Sequence, residues 1–272
     1  MIESILIAVA TVAGIGLICG ILLALASHFM AVKVDEKKAA LRECLPGVNC
    51  GACGYTGCDG YAAALADGKA APNLCVPGAD AVAKKVADIL GVEFADVIEQ
   101  VAFVRCNGNC GATSKKQNYE GIQSCAAAKL IFGGNGACTF GCMGLGDCAA
   151  ACPNEAICIK DGIARIDTRK CIGCGLCTKV CPNHLIALFP DVEKTVIMCS
   201  NKEKGAVTRK KCTNGCIGCK KCELNCPNKA VKVVDNLAVI DYDLCDGCGL
   251  CAENCPVHCI KIADFSGQHR FK

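Results

Sequence analysis

Apolar positions fall along this chain in three distinct patterns. The first is continuous. From Ile5 to Ala26 no side chain is charged, and Ile, Leu, Val, Ala and Gly dominate. About 22 such residues give roughly 33 Å of helix, which predicts one N-terminal transmembrane helix. Glu3, with no Lys or Arg before the run, argues against a cleaved signal peptide. Lys33, Lys37, Lys38 and Arg42 follow it. By the positive-inside rule the rest of the chain then lies in the cytoplasm, as part of a single-pass protein of the cell membrane. Gly16 and Gly20 form a G-x-x-x-G, which is either a packing face for another membrane helix or the ordinary glycine content of such helices.

The second pattern is helical. Asp59 to Ala66 reads as a short helix. Asp80 to Leu90 reads as an amphipathic one, with Val82, Val86, Ile89 and Leu90 on its apolar side. The third is alternation, and it recurs after each of four Cys-Pro pairs, at Cys152, Cys181, Cys226 and Cys255. These segments predict short strands or hairpins, with Asp235-Asn236 as a turn.

The cysteines change the picture. There are 29 in 272 residues, in tight runs better placed to grip a metal centre than to form separate crosslinks. Cys171, Cys174, Cys177 and Cys181-Pro follow the spacing C-x2-C-x2-C-x3-C-P. So do Cys216, Cys219, Cys222 and Cys226-Pro, and Cys245, Cys248, Cys251 and Cys255-Pro. That is the bacterial two-cluster ferredoxin motif, in which three thiols of one run join the Cys-Pro thiol of the other. The expected [4Fe–4S] ligand sets are Cys216, Cys219, Cys222 with Cys255, and Cys245, Cys248, Cys251 with Cys226. The first run departs from the pattern: Cys138-x3-Cys142-x5-Cys148-x3-Cys152-Pro, with Leu145 at the middle position. Cys138 is the expected substitute. This gives Cys138, Cys142, Cys148 with Cys181, and Cys152 with Cys171, Cys174, Cys177.

Upstream, Cys50-Gly-Ala-Cys53-Gly-Tyr-Thr-Gly-Cys58 with Cys75 makes a further four-thiol set. Zinc would more naturally use two C-x-x-C knuckles, and the second is absent. Five [4Fe–4S] clusters are therefore expected. Cys106, Cys110 and Cys125, with Cys199 or Cys212 as a fourth, make a candidate sixth site; the alternative is reduced thiols that bind nothing. Val104-Arg-Cys106 and Ile197-Met-Cys199 both end apolar stretches, and Cys212-x3-Cys216 mirrors Cys138-x3-Cys142. Cys19, Cys44, Cys158 and Cys259 are expected not to be ligands.

Composition sets limits. No Trp and only four Tyr leave little for a conventional large core, so bound metal is expected to staple the fold. The formal charge of +3 falls to about −7 if five clusters each add roughly −2. No basic stripe interleaved with aromatics points to nucleic acid. No Gly-rich phosphate loop, and no Ser/His/Asp set among four His, suggests bond chemistry in this chain. One-electron transfer is the reaction left.

The order of these features is an apolar helix, then Leu45-Pro-Gly-Val-Asn-Cys-Gly-Ala-Cys-Gly-Tyr-Thr-Gly-Cys58, then Cys75-Val-Pro-Gly, then ferredoxin repeats. It resembles, across essentially the whole chain, the B subunits of Rnf complexes, in the longer version with two ferredoxin modules. The resemblance implies an electron relay in a membrane enzyme that moves electrons between reduced ferredoxin and NAD and couples this to Na⁺ or H⁺ translocation. Its partners would be the other Rnf subunits and soluble ferredoxin. A polyferredoxin component of another enzyme, such as a hydrogenase, is the alternative. A corrinoid methyl carrier, which has a motif like 50–75, would need a cobalamin domain for which no room remains. The expected architecture is α+β: an anchor at 1–32, a small helical [4Fe–4S] domain at 33–98, a linker at 99–137 that could hold the extra cluster, and tandem 2[4Fe–4S] ferredoxin modules at 138–198 and 199–272.

Overall fold

The structure, a computed structural model, describes residues 2–29, 35–94, 96–190 and 195–263. Helix α1 spans Ile2–Phe29, and its described apolar side chains, Val12, Leu17 and Leu23 among them, are exposed. The expected transmembrane anchor at 1–32 is corrected here: among the described residues no helix is long and apolar enough to cross a membrane. Lys33, one of the charges used for orientation, lies outside the described residues.

The next unit is helical. Helices α2 (Glu36–Cys44), α3 (Cys58–Ala66) and α4 (Ala79–Leu90) pack around Leu41, Leu45, Tyr61, Leu65 and Val86. Asp35 caps α2 by accepting from the Lys37 and Lys38 N–H groups, and Gly91 ends α4 in the left-handed conformation. Tyr61 is 1 % exposed, so its hydroxyl needs partners. It donates to the Ala71 carbonyl (2.7 Å) and accepts from the Leu74 N–H (3.2 Å), which fixes the loop leading to Cys75.

Beyond residue 99 the chain builds the same figure twice. Strand β1 (Gln100–Val104) pairs antiparallel with β4 (Ile186–Pro190), and the hairpin β2 (Ile157–Lys160)–β3 (Ile163–Ile166) lies between them in sequence. In the second copy β5 (Thr195–Ile197) pairs with β8 (Ile260–Ile262) around the hairpin β6 (Val231–Val234)–β7 (Leu237–Ile240). Both hairpins turn on two residues with positive φ, Asp161-Gly162 and Asp235-Asn236. This is the tight turn that suits the twist of the strands.

Strand β1 falls in the segment expected as a linker. Its alternation explains why it is a strand instead. Ala102 and Val104 enter the first module's core beside Ile157, Ile166 and Ile186. Val101 and Phe103 face the other way, onto Val196 and Met198 of the second module. Phe103 meets Phe189 edge-on at 5.7 Å, and Phe189 meets Tyr242 edge-on at 5.5 Å. A strand buried on both faces ties the two modules together, at about 1.5–3 kcal/mol for each large side chain withdrawn from water.

The helical unit docks on the first module at one charged contact. Lys179, on α7 (Leu176–Val180), donates from Nζ to the Cys50 carbonyl at 2.7 Å. A partly buried charge-assisted bond of this kind is worth about 1 kcal/mol. Lys179→Met is therefore expected to speed proteolysis of the 91–99 connection about fivefold, read by gel densitometry, while cleavage within 199–263 keeps its rate.

Candidate functional site

The four Cys-Pro pairs share one local structure. Pro fixes its own φ and offers no N–H, so the chain turns at once. The fourth residue of each turn, Glu155, His184, Lys229 or His258, has φ near +50°. Its N–H returns to the carbonyl of the cysteine, at 3.0 to 3.3 Å. The following N–H then points at sulfur: Ala156 N–H to Cys152 Sγ (3.3 Å) and Leu185 N–H to Cys181 Sγ (3.4 Å). The spacing C-x3-C-P thus delivers a thiol with a backbone donor already aimed at it.

Cys50, Cys53, Cys58 and Cys75 converge in the helical unit, where Cys75 feels the other three and burial pushes its thiol up to about 11. Cys152, Cys171, Cys174 and Cys177 line one cavity in the first module. Cys222 faces Cys216, Cys255 and Cys219, and Cys251 faces Cys245, Cys226 and Cys248. Burial pushes Cys222 and Cys251 up to about 11, and Cys148 and Cys177 up to about 12.

One group differs from the expected set. Cys142, Cys148 and Cys181 line a cavity whose fourth thiol is Cys125, not Cys138. Cys125 opens helix α5 (Cys125–Leu130), and Cys148 lies in α6 (Asp147–Ala150). Asp147 joins the two. Its carboxylate accepts from the Cys125 N–H (2.9 Å), the Ala126 N–H (3.0 Å) and the Ser124 hydroxyl (3.0 Å). Burial works to raise this carboxyl, but the Ala126, Cys125 and Ser124 donors hold it below its ordinary value. The support it gives α5 is therefore complete above about pH 3.8 and fades only as pH falls through the lowered value. Asp147→Asn removes the charge at the helix start, at a cost of about 1 kcal/mol. The expected result is about fivefold faster iron release to a chelator at neutral pH, followed by absorbance.

Cys138 lies elsewhere, with Cys106, Cys199 and Cys212 around a cavity between the modules. Of the thiols grouped as a candidate sixth site, the structure therefore separates Cys125 from Cys106 and Cys199. Cys110 is exposed and lines neither of these two cavities. A signal for this exchange was present in the sequence. Cys212 stands to Cys216 as Cys138 stands to Cys142, and the second module has no vacancy for Cys212. Equivalent positions should act alike, which leaves the gap at Leu145 to another thiol. Cys158 is exposed. Cys259 is 1 % exposed, with its sulfur 3.6 Å from that of Cys255. It keeps its proton and donates toward Cys216 and Cys255, which holds the Cys255 thiol down at about 5.

These groups fit clusters better than single ions. A zinc ion bound at about 2.3 Å needs sulfurs within about 4 Å of one another. Among the described residues no three His, Cys, Asp or Glu side chains converge tightly enough to hold one ion. The thiols instead line shared cavities, with N–H donors turned toward sulfur.

Comparison with known proteins agrees. Residues 45–77 match the model of an Fe-S cluster family, 170–230 that of a 4Fe-4S dicluster domain, and 238–261 that of a 4Fe-4S binding domain. The dicluster match joins the runs 171–181 and 216–226, which lie in different modules of the structure, so it follows the sequence repeat and not the spatial pairing. The chain is 46% identical over 233 residues to the B subunit of the proton-translocating ferredoxin:NAD(+) oxidoreductase complex of Clostridium ljungdahlii, covering 85% of this chain and 82% of that one. It is 39% identical over 246 residues to the B subunit of the Na(+)-translocating complex of Acetobacterium woodii, covering 90% and 74%. The B subunit of the ion-translocating oxidoreductase complex of Methanosarcina acetivorans is 35% identical over 238 residues, covering 87% and 90%.

Proposed function

We infer the function of this chain from its family: it belongs to the B subunits of the Rnf complexes, the ion-translocating ferredoxin:NAD⁺ oxidoreductases. It is an electron-transfer subunit of such a complex and carries several [4Fe–4S] clusters. The other subunits of the complex are its partners, and a complex that moves ions across a bilayer is associated with a membrane.

The ligand sets proposed for five clusters are Cys50, Cys53, Cys58, Cys75; Cys152, Cys171, Cys174, Cys177; Cys125, Cys142, Cys148, Cys181; Cys216, Cys219, Cys222, Cys255; and Cys226, Cys245, Cys248, Cys251. The observation that carries this reading is the grouping of these thiols, four by four, with N–H groups aimed at sulfur. When bound, the clusters supply reversible one-electron acceptance. The chain does the rest. It fixes the sites in order, excludes water from most of the thiols, and aims N–H groups at sulfur, which raises potentials by stabilising added negative charge. Cys259 serves the second module in the same way. The domain division that follows the strands is a helical unit ending near residue 98, a first module opening at β1 and a second opening at β5.

Soluble ferredoxin is proposed as the electron donor. Cys219 is an exposed thiol of the second module, and the exposed Lys220, Lys221, Lys229 and Lys232 lie in the same run of chain. A basic surface beside an exposed site favours an acidic carrier and speeds its encounter. The modules are proposed to work on the cytoplasmic side, where a reducing medium keeps free thiols available for assembly. The test is anaerobic mixing of the iron-loaded chain with reduced ferredoxin. Bleaching of the visible absorption, slowed by added salt, is the expected result. A chain that ferredoxin leaves fully oxidised would sink the donor assignment.

A further inference from the structure

The second cysteine run of each module is one segment written twice. Asp167 to His184 and Asp241 to His258 align without a gap, on the shared frame Asp-x3-Cys-x-Gly-Cys-Gly-Leu-Cys-x3-Cys-Pro-x-His. In the first module this run is a docking face, and the helical unit covers it. Lys179 Nζ donates to the Cys50 carbonyl at 2.7 Å, and a Cβ on Gly173 would meet Val76 at 2.8 Å. Glu99 and Arg169 line one cavity with Val76 and Cys171. Cys174 is buried in consequence. Cys148 faces Cys177, and Cys174 faces Cys50, so the sites of the first module and the helical unit form a row.

In the second module the same face is uncovered. Cys248, the counterpart of Cys174, is exposed. Leu244 and Leu250 beside it are exposed as well. One exposed leucine alone is ordinary, but two around a site thiol, on a face whose twin is occupied, mark a contact surface. The charge on this face is inverted. Residues 169–180 carry Arg169, Lys170 and Lys179 and no carboxylate, a formal +3. Residues 243–254 carry Asp243, Asp246 and Glu253 and no Lys or Arg, a formal −3. Glu253 stands where Lys179 stands in the first copy, and Asp243 where Arg169 stands. The three acidic residues are exposed, and among the described residues none is paired with a Lys or Arg. An acidic contact surface repels an acidic partner and selects a basic one. The lysines at 220–232 belong to the other cysteine run of the module, so an acidic ferredoxin is drawn there and not here.

We propose that the face around Cys248, Leu250 and Glu253 docks a one-electron carrier domain with a lysine- or arginine-rich contact surface, seated on the second module as the helical unit is seated on the first. This rests on the cluster-relay reading above. The step is the exchange of one electron between that carrier and the site of Cys226, Cys245, Cys248 and Cys251. One is oxidised, the other is reduced, and no proton or further reactant is needed. The second module then has two entries of opposite charge, which keeps an acidic and a basic partner from competing for one surface.

The test mixes the full chain, iron-loaded and reduced, with oxidised cytochrome c, a basic one-electron carrier, in a stopped-flow cell. Asp243→Lys/Glu253→Lys should slow cytochrome reduction about tenfold at low salt, and the difference should vanish at high salt. Asp243→Asn/Glu253→Gln, which keeps the side-chain shapes, should lie between. All are compared at the iron content of the wild type, and reduction of each by ferredoxin should not slow. In the assembled complex, a carbodiimide should join Asp243 or Glu253 to a lysine of another subunit. An unchanged cytochrome rate in both variants would overturn the proposal. So would ferredoxin reduction slowed as much as cytochrome reduction, or a carbodiimide that gives no link or links only to ferredoxin or to a second copy of this chain. The relay reading fails separately, if Cys248→Ala/Cys251→Ala keeps all its iron.

Discussion

Cys125→Ala/Cys142→Ala binds about four fewer iron atoms than the wild type, no more than Cys142→Ala loses alone. This follows from which thiols share a cavity. Cys125 and Cys142 face the same one, so both changes fall on one site. Cys138 faces the cavity between the modules. Two substitutions in one site act as a unit, while substitutions in separate sites add. The pair Cys125→Ala/Cys142→Ala also breaks the row of sites in its first module. Electron transfer through the assembled complex from reduced ferredoxin to NAD⁺ should then fall to background. Iron analysis and single-turnover spectroscopy check the two effects independently. If Cys138 and Cys142 share one loss while Cys125→Ala keeps its iron, the grouping read from the structure is wrong.

Removing iron from the whole chain is expected to unfold both ferredoxin modules. Their sheets are two-stranded throughout, and an isolated two-stranded pair is marginal in water. Their cores are built largely from thiols. Cys106, Cys148 and Cys177 stand among the buried residues of the first, and Cys216, Cys222, Cys251, Cys255 and Cys259 among those of the second. Without metal these groups are small, poorly packing side chains around empty space. Metal binding to such sites is itself folding free energy, about 10 kcal/mol or more for structural zinc in small domains. That is comparable with the whole stability of an ordinary domain. The measurement is circular dichroism during anaerobic chelation. The strand signal and the thermal transition should be lost together with the visible absorption, while helical signal from α2 to α4 persists longest. Reloading should also depend on pH. Burial pushes Cys106, Cys148 and Cys177 up to about 12, so each gives up a proton when iron binds. Proton release makes binding more favourable as pH rises, and the yield of reloaded protein should be higher at pH 8.5 than at pH 7.

Much of this was legible in the chain itself. The four Cys-Pro turns are local objects. Proline, the next residues and the returning N–H set the thiol's position within a few residues, so spacing alone predicts them. The same holds for the Asp235-Asn236 turn and for the helix around Val86, whose apolar period is written in consecutive residues. The resemblance to Rnf B subunits rested on such local motifs, and the relatives share it over most of their length.

What only the tertiary structure decided depends on long-range contact. The apolar run at the N-terminus is helical, but the span expected from its composition is not met among the described residues. Strand β1 lay in a stretch with too few alternating residues to stand out, and it is a strand because two separate cores cover its two faces. Cys125 is 17 residues from Cys142, in a spacing no motif anticipates, and Asp147 brings it in by holding the start of its helix. Cys138 looked like the replacement because it was near in sequence. Cys138 and Cys212 instead meet Cys106 and Cys199 where the two repeats face each other. Sequence spacing fixes which thiols can be neighbours along one turn. It does not fix which thiols meet when two copies of that turn pack together, because that depends on the burial of β1 and on the bonds across the joint.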